Sequence, residues 1–132
     1  MQSAFLQIKL KNLNRWLESR ESIAEKYLTG INNPKIKLPE RNPNGKHVWH
    51  IFAVLAENRE LLEHYLEQHE IGYQVHYPMA MHLHQAYSDL GYQKGDFPIA
   101  EMAAEHELSL PIYYGMTEEQ LQYVIDVLNQ YR

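Results

Sequence analysis

The chain has 132 residues, of which 45% are hydrophobic and 22% are charged, so it can build one domain with its own core and is too apolar for a disordered segment. A net charge of −5 disfavours a nucleic-acid partner, because nucleic-acid binders neutralise phosphates with basic side chains. The absence of cysteine excludes a disulfide scaffold, a thiolate nucleophile and a zinc site built on sulfur. No signal peptide and no apolar run of about 20 residues occurs, so we expect a cytoplasmic protein with no membrane partner.

The first third of the chain predicts a long helix followed by a connector. Leucines recur at steps of four, three and four residues from Leu6 to Leu17, which predicts one helix over residues 2–28. Gly30 is placed to end this helix in a left-handed conformation. Residues 31–46 carry three prolines and an Asn-Gly pair, which indicates a connector.

Short strands and helices alternate over the next fifty residues. Residues 47–55 are almost all β-branched or aromatic, which predicts a strand buried on both faces. Helical spacing follows over residues 57–70, and a short strand candidate at 73–77 is halted by a proline. The stretch 79–95 is irregular, with one helical turn near 85–90.

Two further helices and a brief strand complete the predicted elements. Asp96 is a candidate cap for a helix that runs to about residue 107, and residues 108–110 form a strand candidate. Thr117 and Gln120 predict a capping box at the start of the last helix. The order of elements predicts an α+β domain, with a small mostly antiparallel or mixed sheet of about three strands covered by helices.

Histidine is the residue type most open to a chemical interpretation. His82 and His84 would share one face of a strand, but no HExxH-type pairing occurs, so a metal hydrolase is poorly supported and we expect no metal site. Residues 75–87 concentrate histidine and tyrosine in the least regular part of the chain, where binding groups collect. The alternative is a loop whose rings and methionines only pack on the domain. No nucleophile motif or phosphate-binding loop is present, so we expect no catalytic residue.

Three segments stand in a characteristic order, namely HVWHIF at 47–52, HYPMAMHLHQAY at 76–87 and residues 96–120. Together they resemble the DegT/DnrJ/EryC1/StrS family of pyridoxal-phosphate-dependent sugar aminotransferases. HVWHIF at 47–52 is similar to the family's HVYHLF strand, and HYPMAMHLHQAY at 76–87 is similar to its HYP-x-P-x-H-x-Q-x-A-Y loop. Residues 96–120 are similar to its FPxAE…LSLPxYPxLTEEE ending, and the opening residues resemble the helix that leads from the large domain. The resemblance therefore covers nearly the whole chain.

This resemblance implies a fold and a parent enzyme. Residues 47–132 would be the small C-terminal domain of the aspartate-aminotransferase (type I) fold, residues 1–30 a long helix leading from a large domain, and residues 31–46 the connector. The parent would be a homodimer that holds pyridoxal phosphate and aminates a nucleotide-linked keto-deoxysugar, with glutamate as amino donor. A 3-keto-6-deoxyhexose is slightly preferred over a 4-keto sugar.

The resemblance also assigns candidate site residues. His76 and Tyr77 would meet the sugar, and His82 would belong to the same substrate-binding loop. The Schiff-base lysine of the family lies in the large domain, and the lysines here match no part of its motif, so the isolated chain is predicted to be inactive. The alternative is a stand-alone, non-enzymatic interaction or regulatory domain derived from such an enzyme.

Overall fold

The computed structural model describes residues 2–132, which form five α-helices, three short strands and two 3₁₀ helices. The helices and strands, in chain order, are α1 (Gln2–Leu10), α2 (Leu13–Gly30), β1 (Ile36–Lys37), β2 (Phe52–Ala56), α3 (Arg59–Gln68), α4 (Pro98–His106), β3 (Glu107–Leu110) and α5 (Glu118–Gln130). The 3₁₀ helices, Met81–Leu83 and Gln85–Leu90, lie in the stretch that the sequence predicts to be irregular.

The three strands form one antiparallel sheet in the order β1-β2-β3. Ile36 of β1 pairs with Ala56, and Phe52 at the other end of β2 pairs with Leu110. Helices α3 and α4 contact the central strand, while α2 contacts α5. These observations confirm the predicted α+β class and its small antiparallel sheet.

A single hydrophobic core holds α2 on the sheet. The Tyr27 ring of α2 lies 5.0 Å from the Phe52 ring, and its hydroxyl donates to the Pro111 carbonyl over 2.8 Å. Burial raises the pKa of the Tyr27 phenol. The largest fully buried side chains are Trp49, Tyr27, Phe52, Leu62, Leu66, Leu108, Leu128 and Val54. The second half of the predicted linking helix therefore packs in the same core as β2, β3 and α5.

The predicted single helix over residues 2–28 is two helices. The break falls at residues 11–12. The side-chain amide of Asn12 donates to the Ile8 carbonyl, and its backbone N–H donates to the Lys9 carbonyl. Asparagine favours such breaks because its side chain competes for backbone groups. The predicted left-handed conformation at Gly30 is wrong, since its φ is not positive. A Cβ there would lie 3.1 Å from Cδ1 of Ile125, so the glycine permits close packing of α2 on α5.

The strand predicted over residues 47–55 begins only at Phe52. Trp49 has a φ of 46°, in the left-handed region, which ends extended structure before β2. Burial alternates along β2 instead of covering both faces. Strand β1 lies inside the predicted connector, and the candidate strand at 73–77 is a single bridge between Gln74 and Ser109.

The helix starts follow local side-chain chemistry. The capping box of α5 is confirmed, because Thr117 Oγ1 accepts from the Gln120 amide and Gln120 Oε1 accepts from the Thr117 amide. Asp96 does not cap α4, since its carboxylate accepts from the Gln93 backbone N–H instead. Glu101, in the first turn of α4, accepts the N–H groups that precede the helix.

Candidate functional site

His76 stands at the edge of the sheet, in contact with two buried polar residues of β3. Its backbone N–H donates to Glu107 Oε2 over 2.7 Å, and its Nδ1 lies 2.9 Å from Ser109 Oγ. The Ser109 hydroxyl donates to the other carboxylate oxygen of Glu107, Oε1. Glu107 and Ser109 are only 6% and 4% exposed, so the hydrogen bond between them is buried, whereas His76 is exposed and its two contacts with them are part-buried. The bridge between Gln74 and Ser109 aligns the two chain segments that carry it.

Ser109 is not placed as a nucleophile in this arrangement. A carboxylate only accepts hydrogen bonds, so the single hydroxyl hydrogen of Ser109 is directed at Glu107. In a serine–histidine pair the imidazole accepts the hydroxyl hydrogen, whereas here His76 Nδ1 faces a lone pair of Ser109 Oγ. The group positions His76 and does not form an acyl-transfer triad.

A cleft of about 330 Å³ opens beside His76. Its lining is mostly apolar, with a few polar groups, which is the composition of small-molecule sites. The residues that give it this character include His50, Ile51, Gln74, His76, Ser109 and Ile112. Since the described chain leaves Nε2 of His76 without a hydrogen-bond partner, this nitrogen is the polar ring atom available to a ligand.

Tyr77 projects from the same loop. Its ring is 65% exposed and lies edge-on to the His76 ring at 5.8 Å between centroids. The peptide bond between the two residues is cis. The structure therefore brings together two of the three predicted site residues, with the Tyr77 phenol accessible.

His82 occupies a different environment. Its side chain is 8% exposed, its Nε2 lies 3.1 Å from Glu101 Oε1, and its ring packs edge-on against Phe97 at 4.8 Å. Burial alone would raise the pKa of Glu101, but hydrogen bonds from the Gly95 and Phe97 amides and from His82 outweigh it and hold this pKa below its ordinary value. This placement favours support of the loop, and direct contact of His82 with a substrate stays a prediction.

Three residues beside the site were missed from the sequence. Glu107 and Ser109 lie 31 and 33 positions from His76, so no local spacing signals their contact. Arg20 of α2 is the third, and its Nη1 donates to the carbonyls of Trp49, His50 and Ile112 at 2.8, 2.9 and 3.0 Å. Only the tertiary fold reveals that this cation holds two walls of the cleft together.

A sequence match to the DegT/DnrJ/EryC1/StrS aminotransferase family covers residues 1–129. The chain belongs to this family. The resemblance seen in the ordered motifs is thereby confirmed.

Relatives of this family member are known in sequence and structure. It is 39% identical to the erythromycin biosynthesis sensory transduction protein EryC1 of Saccharopolyspora erythraea, over 97% of this chain and 35% of that protein. It is 38% identical to the dTDP-3-amino-3,6-dideoxy-alpha-D-galactopyranose transaminase of Aneurinibacillus thermoaerophilus, over 99% of this chain and 36% of that protein. The crystal structure of S. venezuelae DesV in complex with a ketimine intermediate matches with a TM-score of 0.95 and 37% identity, over 98% of this chain and 35% of that one. The chain thus spans about a third of the length of the relatives it matches.

The lysines of this DegT/DnrJ/EryC1/StrS family member do not fit a Schiff-base site for pyridoxal phosphate. Such a lysine must lie in a water-excluded pocket that holds the cofactor. Lys26 is half-buried and pairs with Glu118. The other lysines are exposed, namely Lys9, Lys11, Lys35, Lys37, Lys46 and Lys94.

Neither a cluster of metal-binding side chains nor a membrane-spanning helix is found in residues 2–132. Across residues 2–132, no three histidine, aspartate or glutamate side chains converge closely enough to hold a metal ion. None of the helices described above combines the length and the apolar character needed to cross a membrane.

Proposed function

We propose that the chain is the C-terminal part of a pyridoxal-phosphate-dependent aminotransferase that aminates a nucleotide-linked keto-deoxysugar. The observation that carries the proposal is that His76 lines a cleft, with the Tyr77 ring against its own, in a member of this aminotransferase family. The sugar transaminase relative supports a nucleotide-linked sugar as substrate. A 3-keto-6-deoxyhexose is preferred over a 4-keto sugar, and glutamate is the proposed amino donor.

The contribution of this chain is to the sugar. An imidazole edge and a phenol orient hydroxyl groups by hydrogen bonds and stacking without adding a fixed charge. His76 and Tyr77 supply these groups, and His82 supports their loop through Glu101. The remainder of the parent holds the pyridoxal phosphate, which supplies the amino-group transfer chemistry, so the isolated chain is inactive.

The proposed division is a linking helix (residues 1–30), a connector (31–46) and a small domain (47–132), and helix α1 supports the linking role of the first segment. Residues 5, 6, 8 and 10 of α1 are large, apolar and between 61% and 67% exposed. At about 100° per residue these side chains cover more than half of the helix circumference, and an exposed apolar surface of this kind is typical of contact with another part of a protein. The proposed occupant of this surface is the remainder of the parent, since the chain spans about a third of its relatives. A homodimer completes the proposed assembly.

The test is steady-state kinetics of the full-length parent with a nucleotide-linked keto-sugar. His76→Ala and Tyr77→Phe each remove one polar contact, which is worth up to about tenfold in kcat/KM for the sugar, while the KM for glutamate stays unchanged. His64→Ala, on the exposed face of α3, is the matched control. Wild-type kinetics for both site variants would remove them from the sugar site.

A second candidate is a non-enzymatic interaction or regulatory domain. It is supported by the name of one relative, the erythromycin biosynthesis sensory transduction protein EryC1, which is 39% identical. Incubation of the full-length parent with pyridoxal phosphate, glutamate and a keto-sugar separates the two candidates. Formation of an amino sugar supports the enzyme, whereas its absence from a folded, cofactor-loaded protein supports the second candidate.

A further inference from the structure

The contacts around Glu107 constrain the position of every hydrogen in the group. The backbone N–H of His76 can only donate, so Glu107 Oε2 accepts it. As a carboxylate, Glu107 also accepts at Oε1, and the hydrogen must come from the Ser109 hydroxyl. Ser109 has no second hydrogen to donate.

The remaining contact then decides the state of the imidazole. Ser109 Oγ lies 2.9 Å from His76 Nδ1 and has only lone pairs left, so the hydrogen between them belongs to Nδ1. In a neutral imidazole the proton on one nitrogen leaves the other as an acceptor, and the hydrogen bond of one nitrogen selects the tautomer. The free Nε2 of neutral His76 therefore carries a lone pair.

We propose that Glu107 and Ser109 are positioning residues that hold neutral His76 with its proton on Nδ1, so that Nε2 accepts a hydrogen bond from a ligand hydroxyl in the cleft. The ligand half of this proposal rests on the proposed function, whereas the tautomer half rests on the geometry alone. Both positioning residues are buried, which shields the hydrogen bond between them from water, while the exposed His76 ring stays open to the cleft. His76 therefore selects a ligand that carries a hydrogen-bond donor where it meets Nε2.

An isosteric substitution at Glu107 reverses the hydrogen bonds without changing the shape of the group. In Glu107→Gln, the amide oxygen must still accept from the His76 backbone N–H, so the NH₂ group faces Ser109. The serine hydroxyl is then free to donate to Nδ1, and the His76 proton moves to Nε2. Glu105→Gln is the matched control, because it is the same chemical change on an exposed residue two positions away.

The first measurement is long-range proton–nitrogen NMR on the 132-residue chain labelled with ¹⁵N in the histidine rings, at about pH 8, where an ordinary imidazole is neutral. His76→Gln assigns the His76 signals by their loss. We expect a protonated Nδ1 in the wild type and in Glu105→Gln, and a protonated Nε2 in Glu107→Gln. A protonated Nε2 in the folded wild type overturns the proposal, and this result is decisive even where Glu107→Gln does not fold.

The second measurement tests the ligand half in the full-length parent. Glu107→Gln is expected to raise the KM for the nucleotide-linked sugar by up to about tenfold, because an Nε2–H cannot accept the hydrogen that the ligand hydroxyl donates to Nε2 in the wild type, whereas Glu105→Gln does not change it. Unchanged KM in Glu107→Gln, together with a raised KM in His76→Ala, overturns acceptance by Nε2. Unchanged KM in both variants means that the proposed sugar site itself fails, and the NMR result is independent of that outcome.

Discussion

The indole nitrogen of Trp49 donates to Glu21 Oε2 over 2.8 Å, and this bond fastens the segment before β2 to helix α2. Arg41 completes the contact, because its Nη1 lies 2.6 Å from the other oxygen of Glu21 and its guanidinium stands over the indole ring at 5.6 Å. Trp49 is only 2% exposed. A residue predicted to lie in a strand is therefore the anchor of a loop.

Truncation of Trp49 is expected to be among the most destabilising changes in the chain. Trp49→Ala should lower the free energy of unfolding by about 3–5 kcal/mol, since it empties a fully packed site. Trp49→Phe keeps much of the packing and loses the hydrogen bond to Glu21, for about 1–2 kcal/mol. Urea denaturation measures both. Trp16→Ala, at a half-buried position, is the control, and a Trp49→Ala variant no less stable than this control would contradict the packing assignment.

The Glu21 carboxylate is expected to make stability depend on pH in the acid range. The hydrogen bond from Arg41 lowers the pKa of Glu21, burial of the carboxylate raises it, and the hydrogen bond from Trp49 lowers it further. The net result is a pKa below 4.5. Because the folded pKa is the lower one, ionised Glu21 stabilises the fold above pH 4.5, and this contribution is lost as the pH falls through the folded pKa. Denaturation of wild type and Glu21→Gln at pH 7 and pH 3 should show a stability gap that narrows in acid. A gap of constant size would refute the ion pair's contribution.

Arg20 is expected to stabilise the walls of the cleft. Arg20→Met keeps the length of the side chain but leaves three carbonyls without their charged donor, which should cost about 2–3 kcal/mol. The unfolding midpoint in urea measures the loss. Arg132→Met, at an exposed position, should leave this midpoint unchanged. Equal midpoints for the two variants would show that the Arg20 contacts do not hold in solution.

Asn33 is expected to be the critical polar residue at the end of α5. Its buried amide donates to the Leu128 and Tyr131 carbonyls, both at 2.8 Å. Asn33→Asp removes both donors and places a carboxylate against two carbonyls, so it should destabilise by about 2–4 kcal/mol and by more than Asn33→Ala. Thermal unfolding at pH 7 compares them. Asn32→Asp, the same change on an exposed neighbour, should be nearly neutral, and an equal loss there would point to a general charge effect.

The elements that were predicted correctly are those set by neighbours in the sequence. The α5 capping box depends on two residues three positions apart, and the amphipathic spacing of α3 and α5 spans only a few turns. Such local contacts form in the same way whatever the rest of the fold does. The sequence also predicted His76 and Tyr77 as site residues, because the loop that contains them matches a family motif.

Partners far apart in the chain could not be found from its pattern. Strand β1 has two residues and exists because it pairs with β2, about twenty positions later. Trp49 suits a strand by residue type, yet its left-handed backbone is selected by burial against α2. Tertiary packing overrides local preference at such positions.

The amino-acid order was enough to determine helices α3 and α5, the capping box of α5, the α+β class and the family, because each depends on short-range spacing or on motifs read along the chain. The tertiary structure alone decided that Glu107 and Ser109 meet His76, that His82 is tied to Glu101, and that α1 leaves its apolar side chains exposed. These contacts join segments up to 33 residues apart, and their geometry depends on how the sheet and helices bury their shared core.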